Sequence, residues 1–172
     1  MRKNQKMVFL ALLVAQALVL SLVERMIPVP FVTPGVKLGL ANIITVAALY
    51  VFSFRDVFMV VILRIILATI FGGSAASFFY SLAGGLLSFV VMYLMIKLFK
   101  DGVSIVGVSV VGAVFHNIGQ IIIAAAVVQN LKMALYLPVL LVAGVGTGIF
   151  VGITARFLLL YLKRFLQFQI KQ

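Results

Sequence analysis

Apolar residues fill this chain in long blocks, and the breaks between blocks are short, polar or rich in glycine and proline. Met7 to Val23 contains no charge and follows the basic cluster Arg2, Lys3 and Lys6. Ile65 to Ile96 contains no charge either, which is too long for one helix, and Gly72-Gly73-Ser74 is the natural place to break it. Crossing a bilayer takes ~20 predominantly apolar residues. On that measure the blocks predict six spanning helices, at about residues 7–27, 38–54, 57–71, 75–97, 104–128 and 134–160. Pro138 falls in the first turns of the last. The first block is long and has no small-x-small cleavage site at its far end, so it is expected to stay as an uncleaved span. The fold class that follows is an all-α integral membrane protein, one six-helix bundle over residues 1–172.

One connection is unlike the others. Glu24 to Ile43 reads ERMIPVPFVTPGVKLGLANI and holds three of the four prolines, Pro28, Pro30 and Pro34. Proline fixes φ and lacks a backbone N–H, so Pro28 and Pro30 end the preceding helix. Pro34-Gly35 is a turn dipeptide. Lys37, Gly39 and Asn42 follow it at the mouth of the next apolar block. A stiff, polar cap between two lipid-embedded helices predicts a lid over a binding site on one membrane face.

Composition agrees with the blocks. Hydrophobic residues make up 65% of the chain and charged residues 10%, against about a quarter charged in soluble domains. The net charge of +11 would suit nucleic acid if it lay on one soluble face. The basic residues instead sit at the ends of apolar blocks, so the expected surroundings are a lipid bilayer and no nucleic acid. With the N-terminus inside, Arg2, Lys3, Lys6, Arg55, Lys97, Lys100, Lys163, Arg164 and Lys171 gather on the inner side. Arg25, Lys37 and Lys132 remain outside. Nine against three predicts both termini in the cytoplasm and the proline-rich loop outside.

Polar residues within the spans are costly and mark function. Glu24 lies at the outer edge of the first span, and Asn42 just below the lid in the second. His116 and Gln120 share a face of the fifth span at i, i+4, with Asn117 adjacent. Counted from Ser104 they stand ~18 Å and ~24 Å up a core of ~30 Å. Glu24, Lys37, Asn42, His116, Asn117 and Gln120 therefore form the candidate substrate-binding set. Arg64, ~10 Å above the inner edge when counted from Val57, is a further candidate; a direct pair with Glu24 needs a tilted or earlier-starting helix. Gly144, Gly148 and Gly152 make a stripe on the sixth span, expected to pack inside the monomer. Ala11 and Ala15 form a small-xxx-small pair on the first.

Much chemistry is excluded. Glu24, Asp56 and Asp101 are the only acids, so no carboxylate pair serves acid–base work and no aspartate cluster holds magnesium against a diphosphate. One histidine and no cysteine make no zinc site and no thiolate nucleophile. No Walker motif is present. No enzyme activity, cofactor or metal is expected.

The segment PGVKLGLANI (Pro34 to Ile43), with Glu24 upstream and RDVFMVVILRIILA (Arg55 to Ala68) downstream, resembles the bacterial Gx transporter family. That family is also named heptaprenyl diphosphate synthase component I, and the resemblance covers nearly the whole chain. The family in turn is similar to the substrate-binding S components of energy-coupling factor (ECF) transporters. This implies a multi-pass protein of the bacterial cytoplasmic membrane with six helices, both termini inside and an outer lid after helix one. It also implies uptake of a small vitamin-like molecule, with an ECF transmembrane coupling subunit and ATPases as partners. Ala11 and Ala15 match the alanine motif by which an S component docks on its coupling subunit. Family members also resemble a membrane component of flavin-based extracellular electron transfer. The alternative implied is a non-catalytic accessory protein for quinone, isoprenoid or flavin systems.

Overall fold

The computed structural model describes residues 3–26 and 39–170, the side chains of 101, 131 and 165–170 excepted. The predicted lid, Pro28 to Lys37, lies outside the described residues. Six α-helices follow in order: α1 Lys3–Met26, α2 Asn42–Leu49, α3 Phe54–Ile70, α4 Ala75–Phe99, α5 Ile105–Val128 and α6 Leu137–Ile170. Short 3-10 turns at Lys100–Gly102 and Leu131–Tyr136 precede α5 and α6. No strand occurs among the described residues.

Polar caps set the helix starts. The Ser74 hydroxyl accepts from the Ser77 N–H at 3.1 Å ahead of α4, and the Ser104 hydroxyl from the Gly107 N–H at 3.0 Å ahead of α5. Each satisfies a donor that has no intrahelical acceptor. Ahead of α3, the Asp56 carboxylate accepts from the Ser53 N–H at 3.1 Å and from its hydroxyl. Lys6 binds the same carboxylate at 2.7 Å. This ion pair puts the starts of α1 and α3 at one end of the bundle. Burial raises the proton affinity of Asp56, but the hydrogen bonds from Lys6 and Ser53 outweigh it and hold the carboxyl below its ordinary range.

Four segments are long and apolar enough to cross a membrane: α1, α4, α5 and residues 132–164, which take in most of α6. The seventeen residues of α3 rise ~26 Å, close to the ~30 Å of a hydrocarbon core. The predicted second span is corrected. Of residues 39–53, only the eight of α2 are helical, a rise of ~12 Å, so α2 does not span by itself. It is instead the centre of the bundle. All eight of its residues are buried, and α1, α3, α4, α5 and α6 all touch it. Such a helix must be apolar all round, which is why its sequence looks like a span.

Around α2 the core takes Leu13 and Ala17 from α1, Val57 and Val61 from α3, Phe89 from α4 and Val151 from α6. The outer surface carries large apolar side chains, such as Leu12, Leu94, Ile122 and Phe157, as a lipid-facing surface does. Small residues bring α4, α5 and α6 together. A Cβ on Gly119 would stand 2.8 Å from the Ala83 carbonyl oxygen, and one on Gly148 2.6 Å from Val110 Cα. The stripe Gly144, Gly148, Gly152 faces α5 along its whole length, so it packs inside the monomer as expected.

Candidate functional site

Glu24 from the end of α1, Asn42 from the start of α2, Arg64 from α3 and His116 from α5 are all buried, and they come together at one level of the bundle. Glu24, Arg64 and His116 line a small cavity with Ser21, Gly39, Ile65, Ala68 and Ser81. Its volume, ≈ 10 Å³, is room for about one water.

The Glu24 carboxylate is engaged by backbone. One oxygen accepts the Gly39 N–H at 2.5 Å and the other the Leu40 N–H at 3.2 Å. These donors lie just ahead of α2, where the chain turns through hydrogen bonds from the Asn42 N–H to the Gly39 carbonyl and from the Ile43 N–H to the Leu40 carbonyl. Gly39 makes that turn with φ of +84°, a conformation disfavoured for side-chain-bearing residues. A Cβ there would also stand 3.0 Å from the Asn42 amide nitrogen. The carboxylate therefore fixes where α2 begins, and its charge favours that helix end.

Arg64 reaches the same place from below. Its Nη2 donates to the Asn42 side-chain oxygen at 3.2 Å, and the guanidinium lies against Gly85 of α4, whose missing Cβ would be 3.5 Å from Nη2. Nε is buried and has no hydrogen-bond acceptor among the described residues. The Glu24 carboxylate attracts the guanidinium through space. The predicted depth of Arg64 was too low because α3 starts at Phe54 and not at 57, which lifts Arg64 to ~15 Å. The remaining gap to Glu24 is closed by α2, since Gly39 bonds Glu24 and Asn42, three residues further down, bonds Arg64.

The other predicted residues divide. His116 packs beside Gly39 and Gly84, and Gln120 lies against Gly84 on the same face of α5. Gln120 is fully buried but does not line the cavity. Asn117 turns away from both: its amide donates to the Leu140 carbonyl at 2.6 Å and fills the space left by Gly144. It ties α5 to α6 and is not part of the cavity, because adjacent helical residues point ~100° apart. Lys37 lies outside the described residues. Ser21 and Ser81 line the cavity without having been singled out in the sequence. Ser21, three residues before Glu24, shares its helix face and was the available signal.

Ala11 and Ala15 are exposed. They line an open apolar groove of about 440 Å³ between α1 and α3, with Val14, Met59, Leu63 and Leu67 among its other walls. No helix among the described residues fills it.

No curated protein and no solved structure matches the chain. A family profile described as heptaprenyl diphosphate synthase component I matches residues 13–158, a stretch that runs from α1 into α6 and takes in the whole buried polar cluster. The chain therefore belongs to that family, the Gx transporter family.

Proposed function

We propose that this protein is a non-catalytic, substrate-binding membrane subunit, S-component-like, of an ECF-type importer for a small vitamin-like molecule. In this reading both termini face the cytoplasm and the connection between α1 and α2 lies on the outer side. The observation that carries the proposal is Arg64. Arg64 is 6% exposed, its Nε–H has no acceptor among the described residues and it lines the small cavity, an arrangement that is costly at membrane depth. Substrate contacts come from Arg64, Asn42 and His116, with Gln120 behind His116. Glu24 acts through α2 by holding its start. The exposed alanines on α1 support a partner at that face, the coupling subunit with its ATPases.

Ligand sites of vitamin size occupy ~300 Å³ or more, so binding at the cavity of ≈ 10 Å³ requires the helices around it to shift. The same small volume favours the second reading, an accessory protein for quinone, isoprenoid or flavin-based electron transfer that holds no soluble ligand. Mass spectrometry on gently purified protein separates the two. A small polar molecule recovered with the wild type and lost from Arg64→Lys supports the importer. Recovery of no small molecule, with a redox protein co-purifying in place of a coupling subunit, supports the accessory role and overturns the first.

A further inference from the structure

We infer that Gln16 is the polar anchor of the α1 docking face, and that a transmembrane helix of the partner covers it with a hydrogen-bonding side chain at mid-membrane depth. The inference rests on the importer reading for the existence of a partner at α1. It goes beyond that reading in naming the chemistry the partner brings.

Depth comes first. Lys6, ion-paired to Asp56, marks the inner boundary, and Gln16 stands ten residues further along α1, ~15 Å higher and near the middle of a ~30 Å core. A glutamine side chain is too short to reach either headgroup region from there, so it does not snorkel as lysine or arginine would. Surroundings come second. Gln16 is exposed on the wall of an apolar groove of about 500 Å³ bounded by α1, α2 and α6. Its neighbours there include Leu12, Val19, Ile44 and Leu158. The one other polar member, Thr154, donates its hydroxyl to the Phe150 carbonyl at 2.9 Å. Gln16 itself has no hydrogen-bond partner among the described residues.

Lipid tails offer an amide no acceptor and no donor, so two N–H groups and a carbonyl left in hydrocarbon are strongly disfavoured. Leucine at this position would carry no such penalty and would match the rest of the groove. A helix presenting Ser, Thr, Asn or Gln satisfies the amide, and polar contacts of this kind join membrane helices. Ala15 lines both this groove and the one between α1 and α3. Gln16 points ~100° around α1 from Ala15, and Ala15, on the ridge between the two grooves, joins them into one broad face.

The test co-expresses the full chain with its coupling subunit and ATPases and measures how much coupling subunit is retained on purification. Wild type, Gln16→Leu and the Ala11→Leu/Ala15→Leu double variant are compared. Gln16→Leu should purify folded, at least as heat-stable as wild type, and retain about three- to thirty-fold less coupling subunit, the range for one interhelical polar contact of ~0.6–2 kcal/mol. Gln16→Asn, which keeps an amide, should recover part of the loss. If Gln16→Leu retains wild-type association while the double alanine variant loses it, the anchor is overturned and the importer reading stands. If wild type retains no coupling subunit, or the double variant keeps it in full, the importer reading falls and the inference with it. Misfolding of Gln16→Leu would place the amide inside the monomer. A disulfide between two copies of Gln16→Cys in native membranes would make a second copy the occupant. Either result overturns the inference.

Discussion

Arg64→Met is the perturbation that most directly tests the buried polar cluster. Methionine keeps the length of the side chain and suits the apolar neighbours Ile65 and Ala68, so what changes is the guanidinium. In the native protein Nη2 donates to Asn42 Oδ1 at 3.2 Å, a bond from a charged donor that contributes ~1.5–3 kcal/mol. Without it, Asn42 keeps a buried, unpaired oxygen. Glu24 also loses the through-space attraction of the guanidinium, a smaller effect than breaking a contact ion pair, since the two groups are not directly bonded. Glu24 still accepts from Gly39 and Leu40, so the expected loss is mainly that of the Asn42 bond, about 2–3 kcal/mol. Pairing the change with Glu24→Gln removes the carboxylate charge as well, and the double variant should recover about 1 kcal/mol relative to the sum of the single changes. The assay is reversible unfolding in mixed micelles by SDS titration, read by loss of helical signal. Two results refute the reasoning: an Arg64→Met protein within about 0.5 kcal/mol of wild type, or strict additivity of the two changes. Either would mean that Arg64 and Glu24 are energetically separate despite sharing one cavity.

Three further outcomes are expected. Hydrogen bonds from Lys6 and Ser53 hold the Asp56 carboxyl below its ordinary range, so its contribution to stability is complete above that range and is lost as pH falls through the lowered value; Asp56→Asn should flatten the acid limb of a pH–stability curve and leave pH 7 to 8 unchanged in shape. Gly119→Ala, whose Cβ would stand 2.8–2.9 Å from backbone of Ala83 and Gly84, should destabilise by ~1–3 kcal/mol, while Gly146→Ala, with nothing within 4 Å, should be neutral or up to ~1 kcal/mol stabilising, both read by the same SDS titration. A cysteine introduced in place of Thr33 should react with an impermeant maleimide on intact cells and one in place of Asp101 should not, and reversed labelling would overturn the proposed orientation.

The helices that face lipid were the legible ones. Their apolar blocks are long, and Ser74 and Ser104, which precede two of them, are polar residues with capping chemistry. The start of α3 was legible too: Ser53 with Asp56 three residues on is a capping pair, and using it would have placed Arg64 one turn higher. The role of α2 was hidden for a different reason. A helix enclosed by protein and a helix enclosed by lipid need the same side chains, so NIITVAAL cannot say which solvent surrounds it. His116 and Asn117 show a third limit, since adjacency in sequence is divergence on a helix, and only the first reaches the cavity. Glu24 is the most instructive. As the only acid beside the proline-rich connection, it reads in sequence as a substrate ligand, because sequence displays side chains and not backbone donors. Two of the donors it accepts from are the backbone N–H groups of Gly39 and Leu40. Every non-proline residue carries such a donor, so no residue type advertises it. The donors become special only once a glycine at positive φ turns the chain into a buried helix and leaves them without acceptors. A polar residue beside a Pro/Gly-rich connection in a membrane protein is thus as well placed to hold the next helix's first turn as to hold a ligand. The buried group left with unspent donors, here Arg64, is the stronger pointer to what binds.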